Sequence, residues 1–240
     1  MRSRLSVLVA ALTVAAGVLL SATSVFAQCL PATGANSARG NGGVFGGHAG
    51  YNWQQSTWVY GLETDLAGTG LKSSMTGGLT GTGCTGDAAS TNAQVDWYGT
   101  LRGRLGFTAN NFLIYGTGGL AYGGVKLNST HTASNTTTSA SVSQTKGGFV
   151  VGAGIDYILL PNFVLNLGYQ YVDLGSLSLA SSATSGGITS VQTANANARF
   201  HVLMAGLSWR FAPSAGSWGG FYAGAQGGGA WGLNTDATYR

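Results

Sequence analysis

Residues 93–107 read Ala-Gln-Val-Asp-Trp-Tyr-Gly-Thr-Leu-Arg-Gly-Arg-Leu-Gly-Phe. Val95, Trp97, Leu101, Leu105 and Phe107 fall on one parity, and Asp96, Tyr98, Thr100, Arg102 and Arg104 on the other. Successive side chains of a strand point to opposite faces, so this stretch reads as a strand with one apolar and one polar face. The alternation recurs. Residues 43–53 place Phe45, Ala49, Tyr51 and Trp53 on one side. Residues 57–66 set Trp58, Tyr60, Leu62 and Leu66 against Gly61, Glu63 and Asp65. Phe149, Val151, Ala153, Ile155 and Tyr157 oppose Gly152, Gly154 and Asp156. Phe163, Leu165, Leu167, Tyr169 and Tyr171 oppose Asn166, Gly168 and Gln170, and Leu203, Ala205, Leu207, Trp209 and Phe211 oppose Gly206, Ser208 and Arg210. Residues 112–125 are Gly-rich, with a less clean parity. Soluble strands average roughly 5–6 residues. These segments run to about 10–15, enough for the roughly 9–11 that a tilted strand needs to cross hydrocarbon.

Composition agrees. Of 240 residues 44% are hydrophobic and only 8% charged, with 41 Gly and 3 Pro. A soluble domain carries about 25% charged residues, disorder needs low hydrophobicity, and collagen needs periodic Gly with abundant Pro. No stretch after the N-terminal one approaches the roughly 18 apolar residues of a membrane helix. An apolar chain with few charges and alternating faces is the pattern of a membrane β-barrel.

The first 27 residues have the form of a signal peptide: Arg2 and Arg4, an apolar run over 5–20, then Val25-Phe-Ala27 before the expected cleavage at Gln28. A membrane anchor is the competing reading of that run. Removing Arg2 and Arg4 lowers the formal charge from +4 to +2, and no cluster of Lys and Arg points to nucleic acid. Residues 28–42 are expected to be a flexible leader, 43–232 the barrel, and 233–240 a tail. Export through an oxidising compartment makes a Cys29–Cys84 disulfide possible, with two free thiols as the alternative.

Connections alternate in length. Residues 54–56, 109–110 and 160–161 are tight, whereas 68–92, 127–146 and 175–197 are long and rich in Gly, Ser, Thr and Asn. Outer-membrane barrels have tight periplasmic turns and long outer loops. Aromatic residues flank the tight turns, and amphipathic rings settle at membrane boundaries. Trp53, Trp58, Phe107, Phe112, Tyr157, Phe163, Trp209, Phe211 and Trp218 are therefore expected to form a periplasmic girdle.

Glu63, Asp65, Asp96, Arg102, Arg104 and Asp156 all take the inward parity. An eight-stranded barrel has interior room for little but its own side chains, and buried charges need partners. Glu63 and Asp65 are expected to meet Arg102 and Arg104 across adjacent strands, as a locked plug or as a narrow ion path. No metal-ligand spacing exists among His48, His131 and His201, and no cofactor is expected. Gly81-Thr-Gly-Cys-Thr-Gly86 matches a dinucleotide-loop pattern, but no helix signal follows it.

Taken in order, several stretches resemble one family. They are Gly43-Val-Phe-Gly-Gly-His-Ala-Gly-Tyr-Asn-Trp53, Trp97-Tyr-Gly-Thr-Leu-Arg-Gly-Arg-Leu-Gly106, Leu113-Ile-Tyr-Gly-Thr-Gly-Gly-Leu-Ala-Tyr-Gly123, Val151-Gly-Ala-Gly-Ile-Asp-Tyr157 and Tyr169-Gln-Tyr-Val-Asp-Leu-Gly175. The family is that of the small outer-membrane immunogenic proteins, opacity-type and porin-like. The resemblance implies an all-β fold: an eight-stranded antiparallel transmembrane barrel in the outer membrane, like the OmpA-like membrane domain. There is one departure. The Trp-x-Gly-Phe-Tyr strand that usually opens the family barrel stands last here, as Trp218-Gly-Gly-Phe-Tyr222 and the residues that follow. This implies a circularly permuted barrel, or a fragment of a tandem gene. Gly206-Leu-Ser-Trp-Arg-Phe211 resembles the terminal signal read by the barrel-assembly machinery, here internal.

The function expected is a structural or surface-interaction role without catalysis. Outer-membrane lipid and surface ligands at the outer loops are the expected partners. A passive pore is the alternative. A lipid hydrolase at the rim, using His131 or His201, is a third reading, and a soluble exported sandwich a fourth.

Overall fold

The computed structural model describes residues 30–31, 36–80, 88–133, 136–185, 188–211, 213 and 216–239. Eight long strands run through them: β1 (Asn36–Gln55), β2 (Trp58–Thr80), β3 (Ala88–Ala109), β4 (Phe112–Ala133), β5 (Thr136–Leu160), β6 (Phe163–Ser185), β7 (Ile188–Arg210) and β8 (Gly220–Tyr239). Each pairs antiparallel with its neighbours in sequence, and β8 pairs with both β7 and β1. The sheet is thus a closed ring, with the last strand filling the seam between the first and the seventh. A two-residue piece, Leu30–Pro31, adds to the far end of β2.

Tight turns gather at one end of the ring. Ser56 and Asn110 take positive φ values of 58° and 54° there. Asn visits this left-handed region at little cost. Ser56 is held in place by the Gln54 side chain, which donates to its carbonyl at 2.8 Å.

At the opposite end the strands run on far past a membrane thickness, to lengths of 20–25 residues. The long loops expected over 68–92, 127–146 and 175–197 are mostly ladder. β2 continues to Thr80, β3 begins at Ala88, β4 and β5 meet near Ala133 and Thr136, and β6 and β7 near Ser185 and Ile188. These stretches contain no Pro and many β-branched Thr residues, and the membrane part of each hairpin already sets their register. The termini are corrected in the same way. The ladder begins at Asn36, inside the expected leader, and ends at Tyr239, inside the expected tail, with Asn36 opposite Ala237. Each extension supplies the backbone partners that the other lacks.

Register breaks cluster where these extensions leave the inner part of the barrel: between Gly40 and Asn41, Gly68 and Leu71, Val95 and Trp97, Asp173 and Ser176, and Asn197 and His201. A bulge leaves one residue unpaired and re-aims the side chains beyond it.

The outward face is apolar. Leu62, Leu66, Leu101, Leu105, Leu120, Val151, Leu167, Leu203 and Leu207 all stand exposed on it. Near the tight turns an aromatic belt closes this band. It includes Trp53 stacked on Tyr60 at 5.9 Å, Phe112 beside Tyr157 at 4.8 Å, and Phe163 edge-on to Trp209 at 4.8 Å. Trp58, Phe107 and Phe211 also face outward at this end.

Because both faces of the seam depend on β8, removing residues 218–240 leaves β1 and β7 as open edges. The truncated chain is expected to lose the compact, heat-modifiable band that the full chain gives in unboiled detergent gels. A retained band would show that the ring closes without β8.

Candidate functional site

Strand alternation aims Glu63 and Asp65 of β2 and Arg102 and Arg104 of β3 into the ring, and Glu63 lies directly opposite Arg102 in the ladder. All four are buried. Arg102 Nη2 reaches Glu63 Oε1 at 2.5 Å and Asp65 Oδ2 at 2.7 Å. Arg104 Nη1 reaches Glu63 Oε2 at 3.3 Å, and its Nη2 reaches Asp156 Oδ2 at 2.5 Å from across the lumen. Three carboxylates thus face two guanidiniums, and neutral donors serve Glu63 and Asp156, while Asp65 Oδ1 is left without a hydrogen-bond partner among the described residues. Tyr222 donates to Glu63 Oε2 at 2.6 Å, and Asn166 Nδ2 donates to Asp156 Oδ1 at 2.8 Å. The Gln170 amide, with its oxygen turned to Arg102, accepts from Nη1 at 2.9 Å.

Rings hold Arg104 on two sides: Tyr115 at 3.8 Å and Tyr222 at 5.5 Å from the guanidinium carbon. Glycines make room for them. A Cβ on Gly154 would lie 2.4 Å from the Tyr115 hydroxyl, and one on Gly50 would lie 2.4 Å from that of Tyr222. The layer extends to His48, whose Nε2 lies 2.7 Å from Ser208 Oγ. Ser208 gives its own proton to Asn166 Oδ1 at 2.6 Å, so His48 is the donor in this pair.

Apolar side chains close the lumen above and below. Toward the tight turns lie Val59, Leu113, Val164 and Trp218. Toward the long end lie Leu71, Val95, Tyr98, Val125, Val150, Phe200 and Leu233, with Tyr98 packed edge-on to Phe200 at 5.5 Å. Two voids touching the charged layer have room for on the order of one water each.

Two of the expected site residues are placed elsewhere. Asp96 is not in the charged layer. The bulge between Val95 and Trp97 interrupts the parity there, so Val95 turns inward and is buried, while half-buried Asp96 pairs at the rim with Lys126 at 2.7 Å. Trp218 is not in the girdle. It precedes β8, outside the ladder, so strand alternation does not aim it. Its backbone N–H donates to Gln54 Oε1 at 2.6 Å, which anchors the chain there, and its buried indole lies under Arg210 at 5.8 Å. Phe221 takes the outward place, 6.1 Å from Phe211. Cys29 and Cys84, like the signal peptide, lie outside the described residues.

A second aromatic belt lies at the long end, and the sequence reading missed it. It holds Phe45, Trp97 edge-on to Tyr122 at 6.0 Å, Phe149 beside Tyr171 at 6.2 Å, and His201 stacked on Trp231 at 5.8 Å. The signal was present as aromatic residues on one parity, such as Phe45 with Trp53 and Phe149 with Tyr157.

A model of the outer membrane protein beta-barrel domain matches residues 7–211. The chain belongs to that family. The 31 kDa outer-membrane immunogenic protein of Brucella melitensis is 38% identical over 178 residues, covering 71% of this chain and 67% of its own. The 22 kDa outer membrane protein of Rhizobium leguminosarum is 37% identical over 137 residues, 55% of this chain and 54% of its own. Among solved structures, Ail of Yersinia pestis aligns over 87% of this chain and 99% of its own, at 14% identity and a TM-score of 0.29. The protein is an outer-membrane β-barrel, and its apolar face is turned to lipid.

In this barrel Arg104→Ala leaves Asp156 and part of Glu63 buried without a countercharge. The expected loss is about 3–5 kcal/mol of stability, read by denaturant unfolding in detergent micelles. Asp96→Ala breaks the exposed rim pair with Lys126 and the contact from Gln94 Nε2, and is expected to cost less than about 1 kcal/mol. Equal losses for the two variants would refute the buried layer as the stabilising one.

Proposed function

We propose that this barrel is a sealed surface protein: it conducts no ions, turns over no substrate, and meets its partners through the strand extensions beyond the membrane. The observation that carries the reading is the filled lumen. An ion crossing it would have to displace the Trp218 plug, break the Arg102 and Arg104 pairs, and then pass the Tyr98–Phe200 contact. The glycine-for-tyrosine fit around Arg104 also favours a packed interior over a lined pore.

Catalysis finds no support in the arrangement. Of the two rim candidates, the His131 side chain lies outside the described ones, and His201 lies on the outward face, with Tyr169 OH at 2.6 Å from its Nδ1 and Trp231 on its ring. His48 and Ser208 do touch, but the serine proton points to Asn166 and not to the imidazole, and both groups are buried. A general base needs the nucleophile's proton aimed at it.

The order of strands supports a permuted reading of the chain. The family match ends at residue 211, and β8 fills the slot beside β1 where the Trp-x-Gly-Phe-Tyr strand would open the usual barrel. The segment Gly206-Leu-Ser-Trp-Arg-Phe211 would then engage the assembly machinery from an internal position.

The refolded protein in planar bilayers is expected to give no discrete current steps. Trp218→Ala is expected to stay silent too, since the charged layer above it remains. Discrete steps from the parent protein would overturn the sealed reading in favour of a small pore. A second chain, with residues 218–239 moved ahead of residue 36, is expected to keep the heat-modifiable band. Its loss would count against the permuted reading.

A further inference from the structure

The outward face carries its charges in one place. Between the two aromatic belts it has none among the described residues, and the tight-turn end has none either. Beyond the outer belt, Arg39, Lys72, Lys126 and Arg199 all point outward and are exposed. The ladder fixes their height. Phe45, Gly68, Trp97 and Gly124 lie in one row across β1 to β4. Asn41, Lys72, Gln94 and Lys126 form an outward-facing row beyond it. The two rows differ by two residues on β4, about 7 Å along the strand, and by four on β1 and β2, about 13 Å, the bulges taking up the difference. The two-residue step also separates Arg199 from His201 on β7. Lys72 and Lys126 are two strands apart, hence about 10 Å between backbones. Arg39 stands two residues past Asn41, diagonal to Lys72.

Ring and cation are thus stacked in the order that a lipid leaflet imposes: acyl chains against the apolar band, the interface at the rings, and charged headgroups just beyond. The acidic side chains described at this rim are Asp96 and Asp173. Each takes one contact from a cation, Asp96 from Lys126 Nζ at 2.7 Å and Asp173 from Arg199 Nε at 2.9 Å, and its other oxygen accepts from Gln94 Nε2 and from the Gly175 N–H respectively. An ammonium has three donors and a guanidinium five, so both cations keep donors for another anion. Among the described residues, Lys72 and Arg39 make no ion pair at all.

We propose that Arg39, Lys72, Lys126 and Arg199 form a collar that binds the phosphate groups of lipid in the surrounding outer leaflet. The collar neutralises headgroup charge against the barrel wall and fixes how deep the barrel sits. The inference rests on the long strand ends facing outward, and not on whether the lumen conducts, so current recordings and lipid retention fail independently.

The test uses the refolded barrel in detergent, incubated with diphosphoryl lipid A, then with lipid A stripped of both phosphates, and with inorganic phosphate as competitor. Bound lipid is counted by native mass spectrometry. The parent protein is expected to retain diphosphoryl lipid A and to lose it when the phosphates are absent. Lys72→Gln/Lys126→Gln/Arg199→Gln is expected to bind on the order of 100-fold more weakly. The charge-preserving variant Lys72→Arg/Lys126→Arg is expected to bind as the parent does. If the triple variant does not fold, Lys72→Gln alone is expected to lower retention several-fold, since Lys72 has no ion-pair partner among the described residues whose loss would unsettle the wall. Equal retention in parent and Gln variants, equal retention of the phosphate-free lipid, or full displacement by inorganic phosphate would overturn the proposal.

Discussion

Inside hydrocarbon no water is present to pair with a peptide group, so each N–H and C=O must find a protein partner, and a sheet meets that demand only by closing on itself. Here closure falls to β8, which pairs along Asn36–Asn52 of β1 on one side and Gln192–Arg210 of β7 on the other. The charge-free outward band, the belts of rings and the inward polar parity all follow from that ring, because a closed sheet has only one lipid face and one lumen face.

Closure also fixes the volume of the lumen, and the side chains inside are chosen to fill it. Large rings need small neighbours, which explains Gly50 beside Tyr222 and Gly154 beside Tyr115. Charges need partners, which explains why each of Glu63, Asp65 and Asp156 touches a guanidinium. The wetter chemistry is moved to the rim. There the bulges interrupt the parity, Asp96 and Asp173 find exposed cations, and the strands continue away from the membrane as ladders.

Much of this was legible along the chain. Period-two alternation located the strands, and tight turns at 54–56, 109–110 and 160–161 located one end. The inward parity of Glu63, Asp65, Arg102, Arg104 and Asp156 puts them in one compartment. What misled was everything that alternation does not control. Asp96 shares a parity with Arg102 in the sequence, but the bulge between Val95 and Trp97 interrupts it. Trp218 neighbours a strand without belonging to one, so its backbone hydrogen bond to Gln54 and its contact with Arg210, not alternation, decide where it sits. The Ser- and Thr-rich connections looked like loops because polar composition does not distinguish a loop from a strand whose partner is held in register by the hairpin below it.

The amino-acid order by itself determined which residues face lipid and which face inward along each unbroken strand, since that is a property of the extended backbone. It also determined that acids and arginines share the inward parity, so that buried charges of opposite sign are within reach of one another. Only the tertiary structure decided which charges meet, as with Arg104 and Asp156 from strands that are not neighbours, and how the lumen is stoppered at each end. Those contacts run across the barrel between residues whose separation is set by the ring's circumference and stagger, quantities that no local pattern encodes.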